Sequence, residues 1–363
     1  MQEKHNWQLE LEEYIRQGEP DQVEKSVAWQ TAIGLQDVDG LKTSEYLLET
    51  AREHIEGNID MSVAKNRIQN YYEQRRERQI VEESTREADI VSVRIAELLG
   101  EKTFQFSPVE LQNIHKRLFL GVFDHAGKIR TYNITKKEWV LNGDSVIYAS
   151  YSSIHDTLDY DFAQEKQFSY VNISLTEAIR HIAGFASGIW QIHPFCEGNT
   201  RSTAVFIIKY LKTFGFRLNN DVFAEYSWYF RNALVRANYN DLQRGIHATT
   251  EFLELFFENL LMDVHHELKN RYLHVDYETV KFTQSATEES PKCKNCTLNC
   301  TLEELALLRA IADNPNITQK ALAAAIGKSE RTIKTKTVIL QEKGYIRRKN
   351  GKRNGCWELL VKL

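Results

Sequence analysis

No stretch of about 18 uncharged apolar residues occurs in the 363-residue chain, so an ordinary membrane-crossing helix is excluded and no membrane partner is expected. The opening MQEKHNWQLELEEY lacks the apolar centre of a secretory leader, and a cytoplasmic address is the expectation. Cysteine is scarce. There are five, and the three that cluster, Cys293, Cys296 and Cys300, have no second pair to complete a zinc site. Zinc or an iron–sulfur group there needs a fourth ligand from elsewhere, with Cys356 or His274 as candidates, and reduced linker thiols are the alternative. Charge is unevenly shared: residues 301–363 carry +7 and residues 1–300 carry −11. A basic tail on an acidic body implies a separate module with its own partner. The length allows two or three domains, and 42% apolar content suffices for ordinary cores.

The residues that carry chemistry lie together in His193-Pro194-Phe195-Cys196-Glu197-Gly198-Asn199-Thr200-Arg201. Before this string, Leu175, Ile179, Ile182, Ala186, Ile189 and Trp190 recur at helical spacing, and after it STAVFIIKYLKTFGF resumes an apolar helix. The string is therefore a loop at a helix N-terminus, where free N–H groups and the helix dipole favour an anion. Gly198 permits close approach of the backbone to a phosphate, and the amides near Asn199 and Thr200 suit an anion nest. Glu197 suits Mg²⁺, Arg201 a bidentate grip on phosphate, and His193 proton transfer near neutrality. The plain alternative is a helix–loop–helix with a buried histidine and a surface Glu/Arg pair.

That string resembles the core motif of the Fic family, HPFx(D/E)GN(G/T/K)RxxR. The commonest activity of this family is transfer of AMP from ATP to a Ser, Thr or Tyr hydroxyl of a target protein. The resemblance runs from about Arg86 to about Val264, a domain of ordinary size. It includes an Arg-x-x-Asn-Ile-x-Lys run within Phe106 to Lys136, and a flap, VLNGDSVIYASYSSIHDTL, that holds the target. Ile147, Tyr148 and Ala149 lie at its centre, where Val146, Tyr148 and Ser150 alternate with Ile147, Ala149 and Tyr151 in the manner of a strand. YFRNALVRANYNDLQRGI resembles the helices that wall the nucleobase pocket. The resemblance implies His193 as general base, Glu197 as holder of Mg²⁺, and Asn199 on the α-phosphate. It further implies backbone N–H groups from Gly198 and Thr200, Arg201 on the β-phosphate, and Phe195 as the buried anchor of this nucleotide-binding loop.

The second arginine of the motif is missing: position 204 is Ala204. In the family that arginine orients the γ-phosphate and pairs with an inhibitory glutamate, so its loss bears on both ATP grip and autoinhibition; Lys209 or a flap residue is a candidate substitute that nothing in the sequence singles out. Residues 28–74 resemble the three-helix antitoxin module found with many Fic domains, whose signature ends in Glu-Gly. Here the matching positions are Asp39 and Gly40, with Glu56-Gly57 as a second candidate that falls at a turn between helices. A bridge that lacks both its usual ends is expected to be absent, which leaves Asp39-Gly40 the reading of a C-cap.

The basic tail reads as a winged helix-turn-helix. LEELALLRAIADN forms its first helix, Thr318 caps the second, ERTIKTKTVILQEKG forms a recognition-type helix, and YIRRKNGKRNGCWELL forms a hairpin wing. Arg331, Lys334, Lys336, Arg347, Arg348 and Lys352 are the candidates for DNA phosphates, with protein docking as the alternative use. The expected architecture is mainly α, with a Fic all-helical core, a β-hairpin flap and a small C-terminal winged helix domain. The expected divisions are a helical antitoxin-like module (1–80), the catalytic domain (81–270), a linker with the Cys cluster (271–300) and the winged helix (301–363). Two functional classes follow. One is a protein adenylyltransferase that uses Mg²⁺ and a nucleoside triphosphate on a target hydroxyl, alone or as a homodimer; transfer of UMP or phosphocholine would use the same loop. The other is a DNA-binding regulator whose Fic domain has weak or altered nucleotide use.

Overall fold

A computed structural model describes residues 20–77, 82–170, 173–216, 222–262, 264–277, 300–349 and 356–361. The helices of the body are α1 (Pro20–Gly34), α2 (Glu45–Ile55), α3 (Met61–Glu77), α4 (Glu83–Gly100), α5 (Pro108–Phe119), α6 (Ile154–Gln167), α7 (Leu175–Ile192), α8 (Asn199–Thr213), α9 (Val222–Ala237) and α10 (Glu251–Met262). The tail adds α11 (Leu302–Asp313), α12 (Gln319–Ile326) and α13 (Glu330–Glu342), followed by β1 (Ile346–Lys349) and β2 (Cys356–Leu359). No helix among the described residues is long and apolar enough to cross a membrane.

The two helices flanking the loop follow the apolar spacing. Ser174 opens α7 with a reciprocal capping box to Glu177, and the buried face of α7 runs through Ile179, Ile182, Ala186 and Ile189 to Trp190. Helix α8 is buried on all sides from Asn199 to Leu211, as expected of a central helix. Phe106, Phe162, Phe185, Phe206 and Tyr210 pack ring against ring between α6, α7 and α8.

The N-terminal helices are anchored to this body by polar groups as well as apolar ones. Helix α1 lies along α4 and reaches α9. Trp29 on α1, wholly buried, donates its Nε1–H to His54 Nδ1 at 3.0 Å. Asp89 on α4 is buried and accepts from Ser44 N–H (2.8 Å) and Tyr72 O–H (2.6 Å), and so ties the start of α2 and the face of α3 to the body. Burial raises the Asp89 carboxyl above the usual range, and its three donors oppose that rise.

The flap forms no strand ladder among the described residues. Its two limbs meet around a 3₁₀ turn (Trp139–Leu141), through Glu138 N–H to the Asp144 carbonyl at 2.9 Å and Lys136 N–H to Ser145 Oγ at 3.3 Å. The alternation read from sequence is present, with Val146 and Tyr148 buried and Ile147 84% exposed, but among the described residues no neighbouring strand meets its edge. The two-stranded sheet is that of the wing, where β1 and β2 pair antiparallel from Ile346↔Leu359 to Lys349↔Cys356.

Candidate active site

The last residue before the loop takes an unusual backbone conformation. His193 closes α7 at φ 50° and ψ 58°, left-handed for a non-glycine residue, with its N–H on the Trp190 carbonyl at 3.0 Å. Its ring is 3% exposed. Nδ1 faces the same Trp190 carbonyl at 3.2 Å, and because a carbonyl only accepts, Nδ1 carries the proton. Nε2 is buried with no hydrogen-bond partner among the described residues and keeps its lone pair. Burial drives the His193 pKa well below its ordinary value, and the Lys136 charge adds to that, so the ring is neutral at physiological pH. The flap covers it: the Tyr148 ring lies 4.2 Å from the imidazole, centre to centre. Tyr148 is thus a lid over His193, while exposed Ile147 and half-buried Ala149 remain on the outer side of the flap.

The loop is fixed by residues far away in sequence. Arg130, buried and with no carboxylate partner among the described residues, donates to the carbonyls of His193 (2.7 Å), Ile192 (3.2 Å), Ala149 (2.5 Å) and Tyr132 (2.8 Å). One guanidinium therefore joins the loop to the flap. His115 on α5 stacks on Phe195 at 3.7 Å; its Nδ1 accepts from Gly127 N–H and its Nε2–H donates to the Glu197 carbonyl. That pattern requires the neutral ring, and burial lowers its pKa to about 4. Arg130 heads the Arg-x-x-Asn-Ile-x-Lys run, but neither its role nor that of His115 can be read locally, because their partners lie 63 and 82 residues away. Asn199 turns back on the loop, accepting from Phe195 N–H (3.0 Å) and donating to its carbonyl (2.8 Å). Thr200 Oγ1 accepts from Trp190 Nε1–H. Gly198 caps α8 at φ 75°, and the ring of Phe119 leaves no room for a side chain there.

Arg201 overturns one expectation. Asp39 Oδ2 lies 2.9 Å from its Nε, so an acidic residue of the N-terminal module does meet a motif arginine, although the first and not the second. The carboxylate sits off the N–H direction, leaving Nε without a hydrogen bond, so this contact is one of charge. The directed bonds come from Glu87 on α4, at 2.6 Å from Nη2, and from Gln36, at 3.1 Å from Nη1. Arg201 is 2% exposed and also lies over the Phe119 ring at 4.8 Å. Gly40 meanwhile caps the 3₁₀ turn Leu35–Asp39 at φ 69°, so the C-cap reading and the bridge hold together. Lys209 is a second correction. Its ammonium caps the end of α4 on the Leu98 and Glu101 carbonyls and is spent there, as Lys212 is on Leu99. Glu197 is 55% exposed and accepts from Lys136 Nζ at 2.8 Å.

Residues 105–211, which contain this loop, its flap, α7 and nearly all of α8, match the Fic/DOC family. The chain carries a Fic/DOC domain. Residues 304–347 match a winged helix-turn-helix DNA-binding family. The chain is 23% identical over 209 residues to protein adenylyltransferase VbhT of Bartonella schoenbuchensis, a stretch that covers 56% of this chain and 42% of that protein. It thus spans less than half the length of that relative. A crystal structure of a Fic family protein from Desulfovibrio desulfuricans aligns with a TM-score of 0.42 at 13% identity, over 98% of this chain and 96% of that one.

Beyond the Fic/DOC domain, the tail has the three helices and wing read from its sequence, with Thr318 and Ser329 capping α12 and α13. Ile333, Thr337 and Leu340 turn α13 inward, and Arg331 and Lys334 are exposed on its other face. The remaining basic candidates are less available. Lys336 lies 3.8 Å from Glu303, Arg347 is held by Glu358 at 2.9 Å from Nε, and Arg348 lies over the Trp357 ring. Lys352 at the wing tip is outside the described residues, as are Cys293 and Cys296. Cys300 is buried at the start of the winged helix, with its thiol pushed up to about 11 by burial, which suits a packing role. No cluster of three or more metal-ligating side chains occurs among the described residues.

Proposed function

We propose that the Fic/DOC domain transfers AMP from ATP to a Ser, Thr or Tyr hydroxyl of a protein, with His193 as the general base. The observation that carries this reading is the buried, neutral imidazole whose Nδ1 is committed to Trp190 and whose Nε2 lone pair is unspent. Nε2 takes the proton of the attacking hydroxyl as its oxygen bonds to the α-phosphorus; the bond from the α-phosphorus to the bridging oxygen breaks, and pyrophosphate leaves. The N-terminal amides of α8, from Gly198 to Arg201, would receive the phosphates. Asn199 acts by holding the loop's shape through Phe195.

The metal implied by the family fits Glu197, whose exposed carboxylate already pairs with a cation, the Lys136 ammonium. A single carboxylate with phosphate oxygens and water is a donor set that Mg²⁺ accepts, and the bound ion would neutralise phosphate charge. Productive reaction further requires that Tyr148 move off His193 and that Arg201 leave Asp39, Glu87 and Gln36 for phosphate. We therefore read residues 1–80 as a module that restrains the catalytic domain at 81–270, through Asp39 and Gln36. The segment 271–300 connects this unit to the winged helix at 301–363.

The test is incubation with Mg²⁺ and each of ATP, GTP, UTP and CTP labelled at the α-phosphate, followed by denaturing electrophoresis. A labelled self-band from ATP that disappears in His193→Ala is expected, and equal labelling by His193→Ala would sink the assignment. Asp39→Ala combined with Glu87→Gln should raise labelling by roughly tenfold, the scale of ordinary site coupling. Unchanged labelling would mean that Arg201 is not restrained by these contacts. The second reading, a DNA-binding regulator, is favoured by the winged helix-turn-helix match and the exposed Arg331 and Lys334.

A further inference from the structure

The basic groups around the loop are almost all committed elsewhere. Arg130 is spent on backbone carbonyls, Arg201 on Asp39, Glu87 and Gln36, Arg231 on buried Glu138 at 2.7 Å, and Lys209 and Lys212 on the end of α4. Ala204, in place of the motif's second arginine, is wholly buried in α8 and offers nothing to a nucleotide. Lys136 differs. It projects from the first limb of the flap, with its backbone N–H held by Ser145 Oγ, and its ammonium reaches across to Glu197 at 2.8 Å. Both groups are solvent-accessible, at 27% and 55% of their side-chain surface. The ammonium is thus a solvent-reachable cation on a four-carbon stem, seated on the carboxylate that suits a divalent ion.

We infer that Lys136 is an exchangeable cation of this site. It occupies Glu197 while the site is empty of metal, and turns to the polyphosphate of a bound nucleoside triphosphate once a divalent ion takes the carboxylate. It thereby supplies the positive charge that position 204 lacks. The inference rests on the reading that Glu197 holds the metal. A divalent ion on Glu197 would repel an ammonium seated on the same carboxylate, so metal and ammonium compete for it, whereas metal, ammonium and polyphosphate together balance. A lysine suits the exchange better than an arginine, because its compact charge can leave one anion for another without matching a planar fork.

The experiment is Mn²⁺ binding followed by electron paramagnetic resonance, on the full chain carrying Asp39→Ala and Glu87→Gln so that Arg201 is released. Binding is measured alone and with the non-hydrolysable α,β-methylene analogue of ATP. Without nucleotide, Lys136→Met should bind Mn²⁺ more tightly, by up to about fivefold, the scale of an exposed ion pair. With the analogue, Lys136→Met should bind the metal–nucleotide complex about tenfold more weakly, the loss of one charged contact to phosphate. Lys136→Arg should recover only part of the second effect. Equal affinities in both arms, or weaker binding in both, would overturn the role of Lys136. Glu197→Ala separates the two levels: loss of Mn²⁺ binding in that variant supports the metal site on which the inference stands, and unchanged binding would overturn the metal reading and this inference with it.

Discussion

A Cβ at position 198 would lie 2.4 Å from the Phe119 ring, and the backbone there has φ 75°. Both conditions oppose any side chain, so Gly198→Ala should destabilise the fold by roughly 2–4 kcal/mol. Part of that cost should vanish in a Phe119→Leu background; urea denaturation of the four chains checks it, and an identical cost in both backgrounds would refute the steric cause. The glycine is legible in the sequence as a place of phosphate approach, but its steric cause is not, since a ring 79 residues distant by its number, Phe119, leaves no local mark. His115 makes a second prediction. The folded chain resists its protonation down to about pH 4, while the unfolded chain takes up that proton near pH 6.5. Between these values the unfolded state binds more protons, so stability contributed by His115 is fully present above pH 6.5 and is lost as pH falls towards 4. The loss amounts to roughly 3 kcal/mol. Denaturant midpoints against pH should show this decline, and His115→Gln should flatten it; an equally steep decline in the variant would place the titration elsewhere.

At the scale of elements, the helices were legible because they carry their own signals: apolar periodicity, capping Ser and Thr, and the glycine that starts α8. A hairpin flap is what the family resemblance implies, and the alternation of Val146 and Tyr148 with Ile147 adds only which side is buried, without recording whether a partner strand exists. What holds the flap is Arg130, through the Ala149 carbonyl on one side and Ile192 and His193 on the other. Arg130→Lys keeps the charge and loses the fork, leaving buried carbonyls unpaired, so a cost of about 2–4 kcal/mol is expected. Amide hydrogen exchange should rise at residues 146–150 and 193–196 ahead of the rest of the chain. Uniform acceleration would mean that Arg130 supports the fold generally and not this junction. The pairing of Asp39 with Arg201 leaves no mark in the sequence for a related reason. The register of Asp39 was readable, but an arginine 162 positions along the chain is brought to it only by the packing of α1 on α4 and α9, and Glu87 and Gln36 had no motif to announce them.

Over the whole molecule, net charge overstates what the winged helix offers to DNA. Glu358 neutralises Arg347 and Lys349, and Glu303 faces Lys328 and Lys336. Arg347→Ala should therefore change DNA affinity little, Arg331→Ala with Lys334→Ala should weaken it, and Glu358→Ala should strengthen it. Fluorescence anisotropy over a salt series checks this, since each phosphate contact adds about 0.9 to the slope of log affinity against log salt. A slope unchanged by Glu358→Ala would show that Arg347 and Lys349 face away from the duplex. The sharing of Arg201 among Asp39, Gln36 and Glu87 also has a reciprocal consequence. If the same guanidinium serves the N-terminal module and the nucleotide, then whatever affinity the docked module takes from ATP, bound ATP takes in equal measure from the docking of the module. Nucleotide concentration then acts as a mild, selective denaturant of one corner of the protein: rising ATP loosens the turn at Leu35–Asp39 while the α7–α8 core stays firm.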